Sequence, residues 1–279
     1  MAHPPRRRPL NRPAHERLIP DGLDATLVLL RHGESTYIVD GRFQGQADAP
    51  LTNHGRRQAA AAAERLAHAD RPPGLPIPAG PPLAIVASPL GRTRETAEAV
   101  ASAVPDAPPS RPEPGLLEVG QGDWEGLPGA EIAERWGDVL AGWRRDPVTT
   151  WAPGGESLAA VDARVRIFLS RLLADLVHGR QPGSTNRSQV LGYRDAFADV
   201  PWALIVGHDG VFKVVLLALL DLPLDRFWAF PFALAGISIV EIRGGRGRLR
   251  AHNLVEHLVG LEHAATEAGA AAERPNGAL

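Results

Sequence analysis

The stretch TLVLLRHGES, residues 26–35, decides the fold. Thr26 to Leu30 make an unbroken apolar run that includes β-branched residues, the pattern of a strand buried on both faces rather than the alternation of a half-exposed one. The run passes without a spacer into Arg31, His32, Gly33, Glu34 and Ser35, so polar chemistry begins where the strand ends. LAIVA (83–87) and WALIV (202–206) repeat the arrangement, the first leading into Ser88-Pro89 and the second into Gly207-His208-Asp209-Gly210. A helical pattern follows each strand. Thr52 is an N-cap candidate for an Ala-rich helix to about Ala67, and Ser88 with Pro89 reads as the cap and first residue of a helix to about Ala103. Further helices are expected over about 157–177 and 209–220. GISIVEI (236–242) and RLRAHNL (248–254), joined through a Gly-rich turn, read as a hairpin. Buried strands alternating with crossover helices predict an α/β three-layer sandwich with a mainly parallel central sheet and helices on both faces.

The chain of 279 residues, 44% of them hydrophobic, has ample length for a full core, and one domain over residues 25–260 is expected. Residues 1–24 mix Pro and Arg with few apolar side chains and read as a disordered arm, while 261–279 read as a flexible Ala-rich tail. The segments 71–82 and 181–200 read as loops inserted into the regular core. A formal net charge of -2 supplies no broad positive field, so a nucleic-acid partner is not expected, and the cluster Arg6, Arg7 and Arg8 reads as a solvated tail. No apolar run is long enough for a membrane span and the N-terminus lacks an apolar signal segment, so a cytoplasmic protein without a membrane partner is expected. Without cysteine there is no disulfide framework, thiol nucleophile or thiolate zinc site. Oligomeric state stays open, a homodimer included.

In doubly wound sheets ligands gather at the carboxyl ends of the strands, where helix N-termini also offer free N–H groups to anions. Arg31 and His32 lie at one such end, Ser88 with Arg92 and Arg94 at a second, and His208 at a third. Two histidines converging with arginines suit phosphate. A phosphate monoester carries about two negative charges near neutral pH, and guanidinium forks match its oxygens. An imidazole can attack phosphorus and split hydrolysis into two easier steps. The leaving alkoxide then needs a proton, for which a carboxylic acid of raised pKa serves. Glu118, in the Gly-rich stretch LLEVGQGDWEG (116–126), is the candidate, with Asp123 and Glu125 in the same loop as rivals.

These residues resemble the signature of the histidine phosphatase superfamily, the phosphoglycerate-mutase-like fold, in its phosphatase branch. The matching blocks are Arg31-His32-Gly33-Glu34, Arg42-Phe43-Gln44-Gly45 through Asp48-Ala49-Pro50-Leu51-Thr52, Ser88-Pro89-Leu90-Gly91-Arg92-Thr93, the loop from Glu118 to Gly126, and Gly207-His208. They stand in the family's order and span about residues 26–255. The resemblance implies His32 as nucleophile, Arg31, Arg92 and His208 as the phosphate pocket, and Glu118 as proton donor. It further implies Ser35, Gln44 and Gly45 as secondary phosphate contacts, and neither a metal nor another cofactor. The implied partner is a small-molecule phosphate monoester.

Two departures stand out. Ile38 occupies a position where many members carry Asn, which removes one polar contact to phosphate. Asp209 replaces the usual Gly after the second histidine; facing the substrate, it either favours protonated His208 or repels the substrate. Three functions are compatible with the set: a phosphatase of small metabolites working through phosphohistidine, a phosphoglycerate-mutase-type isomerase, and a catalytically silent phospho-ligand-binding domain. The stretch Val119-Gly120-Gln121-Gly122 lacks the basic and aromatic residues that the mutase branch carries after its acid, and a binding module has no need of a proton donor. A metal site built from His32, Glu34 and His208 is the rival chemistry, but its zinc deaminase form requires cysteines that this chain lacks. Bland readings cover His3, His15, His54, His68, His178, His252, His257 and His263 as structural or surface residues, Arg94 as helix surface, Glu34 as a loop support and Gly155-Glu156-Ser157 as a helix start. Trp124, Trp136, Trp143 and Trp151 read as core, with a lid as the alternative.

Overall fold

A computed structural model describes residues 17–178 and 200–261. Its strands are β1 (Ala25–Arg31), β2 (Ala84–Ala87), β3 (Ser110–Pro112), β4 (Trp202–Gly207), β5 (Ile237–Arg243) and β6 (Arg246–Leu254). They form one sheet of order β3-β2-β4-β1-β5-β6. β3, β2, β4 and β1 run parallel, and the β5–β6 hairpin closes the edge antiparallel to β1. The helices are α1 (Thr36–Val39), α2 (Asn53–Ala67), α3 (Gly91–Ala103), α4 (Gly129–Arg145), α5 (Leu158–His178) and α6 (Asp209–Leu219). The sandwich expected from the sequence is the one observed.

The side-chain period of two along β1 divides the core between the faces of the sheet. Leu27 and Leu29 join Phe168, Leu169 and Leu172 of α5 and Val214 and Val215 of α6 on one face. Val28 and Leu30 join Ala62, Ala63 and Leu66 of α2 and Ala97 and Val100 of α3 on the other. Both faces of the strand are therefore covered, which is why its sequence is continuously apolar. Each fully buried Leu or Val contributes about 1.5–3 kcal/mol, and the central strands are lined with them.

Local chemistry sets the ends of the helices. Thr52 caps α2 by accepting the Gly55 N–H through its hydroxyl at 2.9 Å. Ser88-Pro89 does not open α3 as expected: the helix starts at Gly91 behind Leu90, because Ser88 still extends the strand, donating its N–H to the Val206 carbonyl at 3.0 Å. Two elements were not legible. β3 is only a short edge strand, and α4 has non-helical backbone at Trp136, which breaks its periodicity. The expected arm also ends earlier than residue 24, since Ile19 and Leu23 are buried against the α5–α6 side of the core and Asp24 pairs with Arg243. Residues 1–16 of that arm, 181–199 of the expected insertion and the tail beyond Leu261 lie outside the described residues. The segment 71–82 is irregular as expected and tucks Leu75 into the α2–α3 side.

One close approach positions the site. A Cβ on Gly33 would lie 2.3 Å from the Gly55 carbonyl oxygen, and one on Gly55 would lie 2.0 Å from that of Glu34. The loop after β1 thus rests backbone against backbone on the first turn of α2. Replacing Gly by Ala inside a helix ordinarily stabilises it by about 1 kcal/mol. Gly55→Ala is instead expected to lower the urea unfolding midpoint, because the new methyl has to push the Glu34 peptide aside. An unchanged or raised midpoint would show that the two segments are not held in contact.

Candidate active site

The register of the parallel strands assembles the site. Arg31 lies opposite Gly207 across β1 and β4, and Ala87 lies opposite Val206 across β2 and β4. The residues just beyond these pairs, His32, His208 and Ser88, therefore emerge side by side. The His32 N–H donates to the Gly207 carbonyl at 3.0 Å, and the two imidazoles meet edge to face with centroids 5.1 Å apart.

His32 Nδ1 lies 2.6 Å from the Gly33 carbonyl oxygen. A carbonyl only accepts, so Nδ1 carries the proton and Nε2 keeps its lone pair. Burial and the charges of Arg92 and Arg31 hold the His32 pKa well below the ordinary histidine value of 6.5, against the Gly33 hydrogen bond. The ring is neutral at physiological pH, the state a nucleophile requires. His208 is likewise pushed well below 6.5, by burial and then by Arg92, His32, Arg31 and Arg164. Its Nε2 sits 2.8 Å from Ser88 Oγ. A Ser88 proton given to Nε2 puts the ring proton on Nδ1.

Arg92, in the first turn of α3, is fully buried. Its Nη1 donates to the Ala47 carbonyl at 2.7 Å and its Nη2 to the Gly45 carbonyl at 2.9 Å. Burial lowers its pKa to about 10, with Glu118 and Asp48 opposing, so it remains a cation at neutral pH. Arg31 Nη1 donates to the Phe232 carbonyl at 2.5 Å. Among the described residues, Arg31 Nε, Arg92 Nε and His208 Nδ1 are buried with no hydrogen-bond partner. Unpaired donors grouped beside one another are available to a ligand's acceptors. Two such cations beside a neutral imidazole form a pocket for a tetrahedral oxyanion.

Glu118 is the carboxyl of its loop that is buried against α6; Asp123 is exposed, and Glu125 accepts the N–H groups of Gln46 and Gln121, each at 2.9 Å. Glu118 Oε1 accepts from Val119 and Val211 N–H at 2.8 Å each, and Oε2 from Gly210 N–H at 3.1 Å. Burial, then the Asp209 charge, raises its pKa above 4.5 against those three donors. A Cβ at position 210 would fall 2.8 Å from Oε1, so Gly210 is what admits the carboxyl to the helix N-terminus.

The residues expected as secondary phosphate contacts have partners within the protein. Ser35 Oγ donates to Gln44 Oε1 at 2.6 Å, and Gly45 supports Arg92 through its carbonyl. Ile38 sits half-buried in α1. Asp209 has two partners within the protein: its Oδ2 meets Lys213 Nζ at 2.5 Å and its Oδ1 accepts the Phe232 N–H at 3.2 Å. Glu34 accepts the Thr52 hydroxyl at 2.6 Å, as a loop support should. Among the described residues no three His, Cys, Asp or Glu side chains converge in a way that could hold a metal. Trp124 and Trp143 are core, Trp136 is partly buried against it, and Trp151 is exposed.

Several residues escaped the sequence reading. Arg164 of α5 donates to the carbonyls of Gly115, Leu117 and Glu118 and pairs with Glu156, and Gln46 Nε2 donates to the Glu118 carbonyl at 3.0 Å. Together they clamp the loop that carries the acid. Nothing in the spacing links these positions to Glu118. A cleft of about 280 Å³ opens beside that loop, lined by Gln46, Gly120, Gly122, Glu125, Gly154, Gly155 and Glu156.

A strand-end histidine walled by buried guanidinium groups, with a buried carboxyl across from it, defines a phosphoryl-group site on a doubly wound sheet. The chain belongs to the histidine phosphatase superfamily, branch 1, whose profile matches residues 27–180 and 193–255. It is 37% identical over 220 residues to glucosyl-3-phosphoglycerate phosphatase of Mycobacterium tuberculosis, covering 78% of this chain and 85% of that one. It is 30% identical over 229 residues to adenosylcobalamin/alpha-ribazole phosphatase of Salmonella typhimurium, covering 81% and 95%. The native structure of the mycobacterial glucosyl-3-phosphoglycerate phosphatase superposes with a TM-score of 0.66 at 32% identity, covering 83% of this chain and all of that one.

The pKa directions fix a pH profile. Attack requires neutral His32, whose pKa lies below 6.5, so kcat/KM is expected to stay high below pH 6.5 and fall only at lower pH. The donor must be protonated, so a basic limb follows the raised pKa of Glu118. Glu118→Gln is expected to abolish that basic limb and leave the acidic one in place. An acidic limb centred above 6.5 would contradict the dry, cationic setting of His32.

Proposed function

We propose that this protein hydrolyses phosphate monoesters of small metabolites through a phosphohistidine formed on His32. The observation that carries the reading is the set of unpaired buried donors, Arg31 Nε, Arg92 Nε and His208 Nδ1, around a neutral imidazole whose free nitrogen is Nε2. A phosphoryl group entering there satisfies the donors, neutralises both guanidinium charges and presents phosphorus to the lone pair. As the P–O bond to the leaving group breaks, charge grows on the departing oxygen, and protonated Glu118 supplies the proton. The carboxylate left behind takes a proton from the water that attacks phosphohistidine, returning His32 and releasing inorganic phosphate. Charge stabilisation rests on preorganised donors in a dry site, the role that magnesium fills in other phosphoryl-transfer enzymes. The relatives named above are phosphatases, acting on glucosyl-3-phosphoglycerate and on alpha-ribazole phosphate according to their names, and phosphoserine phosphatase 1 of Hydrogenobacter thermophilus adds a third substrate at 29% identity over 234 residues. Their common part is the monoester, which is the part this pocket addresses. The reading takes hydrolysis rather than isomerisation as the main activity, and soluble metabolites in the cytoplasm as its setting. Among the described residues no helix is long and apolar enough to cross a membrane.

Acid quench during turnover of a labelled substrate is expected to trap an acid-labile, base-stable phosphoenzyme that His32→Ala lacks, and a panel of monoesters is expected to yield free phosphate without positional isomers. Label that survives His32→Ala unchanged would refute the covalent step.

Glu118→Gln separates substrates by leaving group. In single turnovers it is expected to slow phosphoenzyme formation from a sugar phosphate by about 10²-fold or more, the scale of general acid catalysis. A nitrophenyl ester, whose leaving group departs without a proton, is expected to lose far less. Equal losses on both would assign Glu118 a purely structural part.

A further inference from the structure

Lys213 is the one lysine of the chain, all its other basic residues being arginine. It stands in the middle of α6, where every residue from Gly210 to Leu219 is buried, and is itself only 4% exposed. A lone ammonium in such a place costs several kcal/mol of desolvation, so its retention calls for a partner. That partner is Asp209, one turn earlier, with Oδ2 at 2.5 Å from Nζ, beneath the rings of Trp228 and Phe227 whose centroids lie 5.0 and 5.4 Å from the ammonium. The second oxygen of Asp209 is not spent on the lysine. It accepts the Phe232 N–H at 3.2 Å, and the carbonyl of the same Phe232 accepts Arg31 Nη1 at 2.5 Å. Onward from Phe232 the segment returns to the site, since the Ala235 N–H donates to the His32 carbonyl and the Arg31 N–H to the Gly236 carbonyl.

We propose that the buried Asp209–Lys213 pair is a positioning device for Arg31: Asp209 holds the backbone N–H of Phe232, the residue whose carbonyl orients the guanidinium toward the phosphoryl group, and Lys213 offsets part of the carboxylate's charge. The direction of the linkage follows from hydrogen-bond polarity. Asp209 takes the Phe232 donor, leaving the acceptor on the residue's carbonyl for Arg31, and Arg31 in turn keeps Nε unpaired for the ligand. The charge argument is independent. An uncompensated carboxylate next to His208 would add negative charge beside a site for a dianion, where like charges are costly. Lys213 reduces that charge from inside the helix, through its ion pair with Asp209. The inference rests on the phosphate reading of Arg31.

The test is a double-mutant cycle read by calorimetric binding of inorganic phosphate, with kcat and KM for a nitrophenyl phosphate alongside. Asp209→Ala is expected to weaken phosphate binding about tenfold, the scale of one lost hydrogen bond to a charged group, and to raise KM more than it lowers kcat. In an Arg31→Ala background the same substitution is expected to change binding less than about threefold, because the group it positions is gone. Asp209→Asn keeps an acceptor for the Phe232 N–H and is expected to retain wild-type phosphate affinity within the same limit. Should Asp209→Ala not fold with its cation unpaired, Asp209→Ala/Lys213→Met removes both charges together, which buried pairs tolerate better, and carries the same broken bond and the same expected loss. Equal losses with and without Arg31, or no loss in either form, would overturn the proposal. Phosphate affinity untouched by Arg31→Ala itself would overturn the phosphate reading, and this proposal with it.

Discussion

The parallel pairing of β1 with β4 is the constraint on which everything else depends. It sets Arg31 opposite Gly207, and the next residue on each strand is a histidine. A slip of one residue along either strand would reverse which side chains face α5 and α6 and which face α2 and α3. It would also separate two imidazoles that now stand 5.1 Å apart. Core and site are therefore specified by the same register. Both faces of β1 are packed, so a slip that disturbed the catalytic geometry would also misfit the core on either side of the sheet.

Within that frame the site is built as an electrostatic deficit. Arg92 and Arg31 are drawn into the interior by backbone carbonyls, of Ala47 and Gly45 for the one and Phe232 for the other. Carbonyl dipoles reduce the cost of burying a guanidinium without cancelling its charge. Both histidines respond by staying neutral, as the direction of their pKa values shows. The resulting site is buried and positively charged, a setting that favours a phosphoryl dianion.

Glu118 occupies the opposite regime. Three backbone N–H groups at and before the α6 N-terminus favour its charged form, and burial with the nearby Asp209 charge disfavours it more strongly. A carboxyl whose environment raises its pKa is a better proton donor near neutral pH, and it regains the anionic form inexpensively because donors already wait around it. Arg164 and Gln46 keep the loop at the helix end through the Glu118 carbonyl, separating the task of placing the acid from that of tuning it. Gly210 completes the arrangement by leaving room for the oxygen.

The sequence by itself determined the class of fold and the strand-end placement of the candidate nucleophile. Strands with two buried faces are continuously apolar, and His32, Ser88 and His208 follow them directly, so strand-end placement needs only local reading. The α2 cap at Thr52 and the β5–β6 hairpin were legible for the same reason, since caps and turns are local. Tertiary structure decided the rest. α4 was hidden because its periodicity breaks at Trp136, and the order of residues 17–24 because Ile19 and Leu23 gain their burial only from distant helices. The choice of Glu118 over Asp123 and Glu125 turned on which carboxyl the α6 N-terminus receives. The part played by Asp209 depended on Lys213 one turn away and on Phe232 across a loop. Contacts between segments far apart in the chain leave no periodic trace in it, because each is set by packing geometry rather than by the preferences of neighbouring residues.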